Sequence, residues 1–191
     1  KPIGVYPETK HPSYFDSIGL SMEEPLVRTL HRHGYVGRHA AAFIQSFEVG
    51  NLQDLARMTK LPLVQLISSA GKPYDFVVTG DARTYADLAK PEGLRFIATY
   101  AQGVGANTSV MIPLVGGRLG TPTSFVRDAH AAGLIVHGWT FRAENRFLPE
   151  AEIAREVHEH GTVEAELRLG LGIGLGAGVH AHEPRDGIGG Q

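Results

Sequence analysis

Cysteine is absent from the 191 residues, which removes disulfides, thiolate nucleophiles and every zinc or iron–sulfur site built on sulfur. Any metal must therefore bind through oxygen or imidazole. A basic excess is also missing: 18 Lys and Arg stand against 20 Asp and Glu, for a formal charge of −2. The basic residues are scattered rather than gathered into a stripe, so nucleic acid is not an expected partner. No apolar run approaches the roughly 20 residues of a membrane-spanning helix, and the first residues carry no signal-peptide pattern. What the chain does have is 24 glycines and a hydrophobic fraction of 42%, enough for one packed domain. It opens Lys1-Pro2-Ile3-Gly4-Val5-Tyr6 with no lead-in, and this reads as a strand already under way, with the start missing.

Strand-like runs alternate with helical patterns nearly to the end. After Ile3–Tyr6 comes Ser21-Met22-Glu23-Glu24, spaced as a capping box for a helix through Leu26, Val27 and Leu30 that Gly34 closes. Ala42–Phe47 reads as a second strand, and Asn51 as the cap of a helix through Leu52, Leu55 and Met58. Leu61–Ile67 is the third strand. Residues 68–90 hold glycines, prolines and tyrosines without a clean period, as a functional loop or insertion does. Pro91 and Glu92 suit the first turn of a helix through Leu94, Phe96, Ile97 and Tyr100. A weak strand follows within Gly103–Pro113, then a helix over Ser124–Ala132 stopped by Gly133. Leu134–Phe141 is apolar on both faces, as a doubly covered parallel strand should be. Glu150–Arg168 is helical in composition, and Gly170–Gly178 is glycine-rich and ends in Val179-His180-Ala181-His182, the sixth strand candidate. Strands followed by helices or long loops point to a parallel α/β fold. A closed eight-stranded barrel takes about 250 residues, so this chain is short by about two units.

The first residues able to do chemistry are Glu8 and Lys10, just past the first strand. Extended backbone sends them to one side. A carboxylate suits a hard cation and an ammonium suits an anionic oxygen; an exposed ion pair of no consequence is the competing account. Gln45, Phe47 and Glu48 end the next strand, and Trp139 ends the clearest one, where a flat face can pack against ligand carbons. Arg142 could grip a phosphate with two donors. Gly172-x-Gly174-x-x-Ala177 imitates a dinucleotide fingerprint without its strand and helix. The pairs His158/His160 and His180/His182 lack further ligands.

Taken in order, Tyr6-Pro7-Glu8-Thr9-Lys10-His11-Pro12, Ile44-Gln45-Ser46-Phe47-Glu48, Leu63-Val64-Gln65-Leu66-Ile67, Tyr100-Ala101-Gln102-Gly103-Val104-Gly105, Val126-Arg127-Asp128-Ala129-His130 and Val136-His137-Gly138-Trp139-Thr140-Phe141-Arg142 closely resemble the glycerophosphodiester phosphodiesterases. The likeness is to the longer bacterial subtype, usually periplasmic or secreted, and runs from about Ile3 to about Pro149. It implies an incomplete (β/α)8 TIM barrel over residues 1–191 with strands three to eight present, residues 68–90 as an insertion and residues 150–191 as a divergent C-terminal part. It implies hydrolysis of glycerophosphodiesters to an alcohol and glycerol 3-phosphate, with Ca²⁺ or Mg²⁺ on three carboxylates and two histidines as acid and base. By the resemblance Glu8 is a metal ligand, Lys10 the catalytic lysine that faces the phosphate, and Gln45, Phe47, Glu48, Trp139 and Arg142 line the substrate. The family's His-Arg-Gly, Glu-x-Asp and His-Asp signatures precede Glu8, and His31-Arg32-His33-Gly34 falls at a helix end and does not replace them. The chain alone is therefore expected to be inactive and, with strand edges unpaired, to self-associate. A barrel remnant that binds a phosphodiester or a protein without turnover is the alternative.

Overall fold

The computed structural model describes residues 3–141. In chain order the elements are β1 (Glu8–Thr9), α1 (Pro12–Ser17), α2 (Glu23–Arg32), β2 (Ile44–Ser46), α3 (Val49–Met58), β3 (Leu63–Ile67), α4 (Tyr74–Thr79), α5 (Tyr85–Leu88), α6 (Pro91–Ile97), β4 (Gly103–Asn107), α7 (Thr108–Met111), β5 (Leu114–Val115), β6 (Arg118–Leu119), α8 (Phe125–Ala131) and β7 (Ile135–Trp139). Five strands form one parallel sheet in the order β1-β2-β3-β4-β7. Sheet order follows chain order, with a helix in each connection. That is the winding of a (β/α)8 barrel wall, in contrast to the reversing order of a doubly wound sheet.

Alternation along the strands divides the sheet into two faces. Ile44, Leu63, Ile67, Val104 and Ala106 face outward and are fully buried with Val27, Leu30, Leu52, Leu55, Leu94, Ile97, Phe125 and Ala129 from the surrounding helices. Gln65 lies on that face too, wholly buried. Its amide donates to the Phe47 carbonyl (3.0 Å) and its oxygen accepts from the Tyr100 hydroxyl (2.9 Å), so no polar atom there is stranded. The other face carries Glu8, Gln45, Val64, Gly103 and Ile135 at paired positions. Tyr6, Phe43 and His137 meet on it, with ring centroids 5.2–5.6 Å apart, and the Tyr6 hydroxyl lies 2.7 Å from His137 Nδ1. Flat spacing of about 4.8 Å per strand would hold β1 and β7 about 19 Å apart. The sheet is therefore strongly curled, with this face inside. Gly105 belongs to the inner face, where a Cβ would come within 2.6 Å of Leu66 Cδ2.

Several local expectations change. No capping box forms at Ser21: the helix starts at Glu23, and the Ser21 hydroxyl bonds that side chain (2.7 Å) instead of freeing Glu24 to cap. Asn51 does not cap α3, which begins at Val49 behind Glu48. The capping box that does form is Thr84 with Asp87, at α5 inside the stretch that has no sequence period. That stretch contains α4 and α5, too short for a period to register. Ser124–Ala132 and the Gly133 stop match α8, where Gly133 takes φ 80°. The exposed β5–β6 hairpin at Leu114–Leu119 had no counterpart in the sequence reading. β7 is not doubly covered: Ile135 is exposed and the others half-buried, because among the described residues β7 is an edge strand. The sixth strand candidate and the helix over Glu150–Arg168 lie outside the described residues.

Burial holds the His137 imidazole below its usual pKa, which suits an Nδ1 that accepts from the Tyr6 phenol. The unfolded chain then protonates His137 more readily, so this contribution is present above pH of about 6.5 and is lost as pH falls through the lower folded value. Urea unfolding of the parent and of His137→Phe at pH 7.5 and pH 5 is expected to show the parent losing more stability on acidification. Parallel pH curves would refute the point.

Candidate active site

Strand ends in a parallel α/β arc put their C-terminal residues, and the loops that follow, on one rim. That rim carries Glu8, Lys10, Phe47, Glu48 and Trp139. His31 is at the other end, in the last turn of α2, with Nε2 3.1 Å from the Thr59 hydroxyl just before β3. That position is away from the rim that carries Glu8 and Lys10.

Glu8 is half-buried on the inner face, in register with Gln45, and its Oε1 is buried without a hydrogen-bond partner. Lys10 is exposed and makes no ion pair among the described residues. Thr9 between them is buried and fastened from behind. Its hydroxyl donates to Asn51 Oδ1 (2.7 Å), and the Asn51 amide donates to Glu23 Oε1. Glu23 Oε2 accepts from the Ser21 hydroxyl (2.7 Å) and the Met22 N–H (3.1 Å). Glu23 is 2% exposed, and every acceptor direction matters for a charge taken so far from water. This chain of bonds links the end of β1 to α2 and α3. It fixes the strand end that carries Glu8 and Lys10.

Phe47 packs edge-on between Trp139 (5.7 Å) and Tyr85 (6.0 Å). The Trp139 indole N–H donates to the Gly105 carbonyl (2.9 Å), setting its ring. Glu48 turns off the inner face: it precedes α3, and its Oε2 accepts from the Ser13 N–H (3.1 Å) and hydroxyl. Asp75 of α4 reaches the same place, its Oδ2 accepting from the Gly50 N–H (2.7 Å) in the first turn of α3. Burial raises the pKa of both carboxyls; Ser13 offsets this for Glu48, the nearby Asp75 charge adds to it, and backbone N–H groups led by Gly50 offset it for Asp75. Glu48 Oε1 and Asp75 Oδ1 are buried with no partner, as Glu8 Oε1 is. Ser13, Asp75 and Tyr85 were not legible as site residues. Arg142, the fingerprint mimic and the late histidine pairs lie outside the described residues.

A hard cation takes six or more oxygens. Glu8 Oε1 is buried and unpartnered, yet the described residues contain no group of three acidic or imidazole side chains able to hold a metal. Residues 3–141 alone do not make the cage.

A singly wound parallel arc with chemistry-bearing side chains along its C-terminal rim is the framework of a (β/α)8-barrel protein. The chain belongs to the glycerophosphoryl diester phosphodiesterase family, whose pattern it matches over residues 4–163. It is 33% identical over 159 residues to a glycerophosphodiester phosphodiesterase of Arabidopsis thaliana, an alignment covering 76% of this chain and 41% of that protein. The chain thus spans less than half the length of this curated relative.

Proposed function

We propose that the intact protein hydrolyses glycerophosphodiesters to an alcohol and glycerol 3-phosphate. The observation that carries the proposal is the Glu8 carboxylate: one oxygen is buried without a partner at the C-terminal end of β1, on the inner face of a family fold. Glu8 supplies one oxygen ligand to a divalent cation, Ca²⁺ or Mg²⁺, whose other ligands lie outside residues 3–141. Lys10, exposed beside it, offsets charge on the phosphoryl oxygens as it builds in displacement at phosphorus. Phe47 and Trp139 give the glycerol carbons an apolar wall, with Gln45 beside Glu8 as a polar contact. Arg142 is proposed as a second phosphate donor.

Release of glycerol 3-phosphate from glycerophosphocholine by the intact protein, dependent on calcium and absent with phosphomonoesters, is the expected result. Failure to hydrolyse any glycerophosphodiester would leave the alternative of a binding remnant. The 191 residues alone are proposed to turn over little, since one carboxylate is no cage; robust activity from them would overturn that. A periplasmic or secreted location is proposed with it, by the resemblance to the exported bacterial subtype, and fractionation of cells carrying the tagged intact protein tests this. Among the described residues β1 and β7 end the sheet, and unpaired edges there would favour self-association; sedimentation of the chain as a monomer would exclude it.

Lys10→Ala is expected to lower kcat about a hundredfold with little change in calcium affinity by titration. Parental kinetics would take Lys10 out of the site.

A further inference from the structure

Around the C-terminal rim, positions open to water are apolar. In α4 the pattern of a surface helix is inverted: Asp75 and Phe76 are buried, while Tyr74, Val77 and Val78, spaced to share one face, are exposed. Val77 and Val78 are 58% and 62% exposed. The same holds in α1 for Tyr14 and Ile18, which stand four residues apart around its C-terminal turn. The two helices are neighbours at this rim. Asp75 bonds the Gly50 N–H and the Ser13 N–H bonds Glu48, both at the start of α3, and the His11 ring meets Tyr74 edge-on with centroids 6.5 Å apart.

A third contribution comes from the β5–β6 hairpin, in the connection after β4. Gly116 and Gly117 take φ 58° and 76°, the left-handed pair that a tight two-residue hairpin turn requires. At its base the Gly120 N–H donates to the Pro113 carbonyl (2.7 Å). The hairpin is thus well formed, yet Leu114, Val115 and Leu119 are all exposed. Apolar side chains from three separate connections, after β1, β3 and β4, therefore surround the mouth of the candidate site, and a surface of this kind marks an interaction.

Outside the site's own carboxylates, the charge on these segments is mainly positive. Lys10, Lys72 and Arg118 pair with no acid among the described residues, whereas Asp81 and Asp87 are engaged by Arg83 and Lys90. Asp16 on α1 is the opposing charge. The chain as a whole carries −2, so the cationic balance is local. A fluid anionic surface suits this arrangement: apolar side chains on separate short elements enter the acyl boundary, tyrosines sit at head-group depth, and cations meet the lipid phosphates. No described helix is long and apolar enough to cross a membrane, so the contact is with the face of a bilayer.

We propose that this end of the protein docks on an anionic phospholipid surface through α1, α4 and the β5–β6 hairpin, with the mouth of the candidate site turned toward the lipid. Docking needs no turnover and does not rest on the phosphodiester reading.

Vesicles of phosphatidylglycerol and phosphatidylcholine in equal parts are expected to carry the intact protein down on sedimentation, and phosphatidylcholine alone to hold it at least about tenfold more weakly. Val77→Asp combined with Val78→Asp, at positions already in water, is expected to weaken binding to the mixed vesicles at least about tenfold. Its circular dichroism and its hydrolysis of dissolved glycerophosphocholine should stay parental. Val115→Asp at the hairpin should weaken binding separately, while Val36→Asp, exposed at the opposite end of the strands, should leave it unchanged. No binding of the folded protein to the mixed vesicles, or equal binding by the double variant and the parent, would overturn the inference. So would a parental dimer that the double variant splits into monomers without lipid, which would assign the face to a second copy of the chain. Vesicle binding without hydrolysis of any glycerophosphodiester would support docking and remove the phosphodiester reading instead.

Discussion

Glu8→Gln in the intact protein is expected to lower turnover by at least about a hundredfold and to weaken calcium to a similar degree. The substitution is nearly isosteric and keeps one oxygen, so what it removes is charge. Among the described residues that charge has no partner: Oε1 is buried without a hydrogen bond, and neither a lysine nor an arginine pairs with the carboxylate. A group kept in that condition at a strand end costs folding free energy, and a bound cation offsets the cost. The variant should therefore unfold at the same or higher urea concentration than the parent in chelator, while the parent alone gains stability when calcium is added. Calcium titration by calorimetry, with urea midpoints in calcium and in chelator, separates the two effects. Unchanged calcium affinity in Glu8→Gln would strip the residue of its ligand role.

Asn51→Ala is expected to be the most destabilising change near the site, by about 3 kcal/mol. Asn51 has no large apolar surface to lose, so the effect is polar. Its amide is the link between Thr9 and the Glu23 carboxylate, and removing it leaves a buried charge short of a donor and the Thr9 hydroxyl with only the longer bond to the Gln45 carbonyl (3.4 Å). Asn51→Asp should be no better, because it sets a second carboxylate against Glu23 in the same interior. A chemical denaturation midpoint near the parent's in both variants would show that the Thr9–Asn51–Glu23 chain carries no stability.

These two positions also show what could be read from the chain. Glu8 and Lys10 were legible because they stand in a motif, two residues apart on extended backbone, and the motif survives in one short segment. Trp139 and Phe47 were visible as strand ends. Asn51 was read as a helix cap, since Asn before an apolar periodic run usually is one; Glu48 precedes the helix instead, leaving Asn51 inside it with its amide free to bond across three elements. Nothing local distinguishes those outcomes, for the difference lies in what the end of β1 brings to it. Asp75 and Tyr85 were hidden for another reason. They sit on helices of six and four residues, shorter than the periodicity needed to recognise a helix, and their place at the rim depends on how residues 68–90 fold back over α3. The parallel α/β class, by contrast, was legible from alternation, while the unreversed five-strand order came with the resemblance to a barrel family, since alternation fits a doubly wound sheet equally well.

The contact between Tyr6 and His137 also sets what lies beneath the candidate site. With Phe43 it occupies the inner face one residue layer below Glu8 and Trp139, so among the described residues the floor under that part of the rim is made of rings, and trimming any of the three to a small side chain would deepen it.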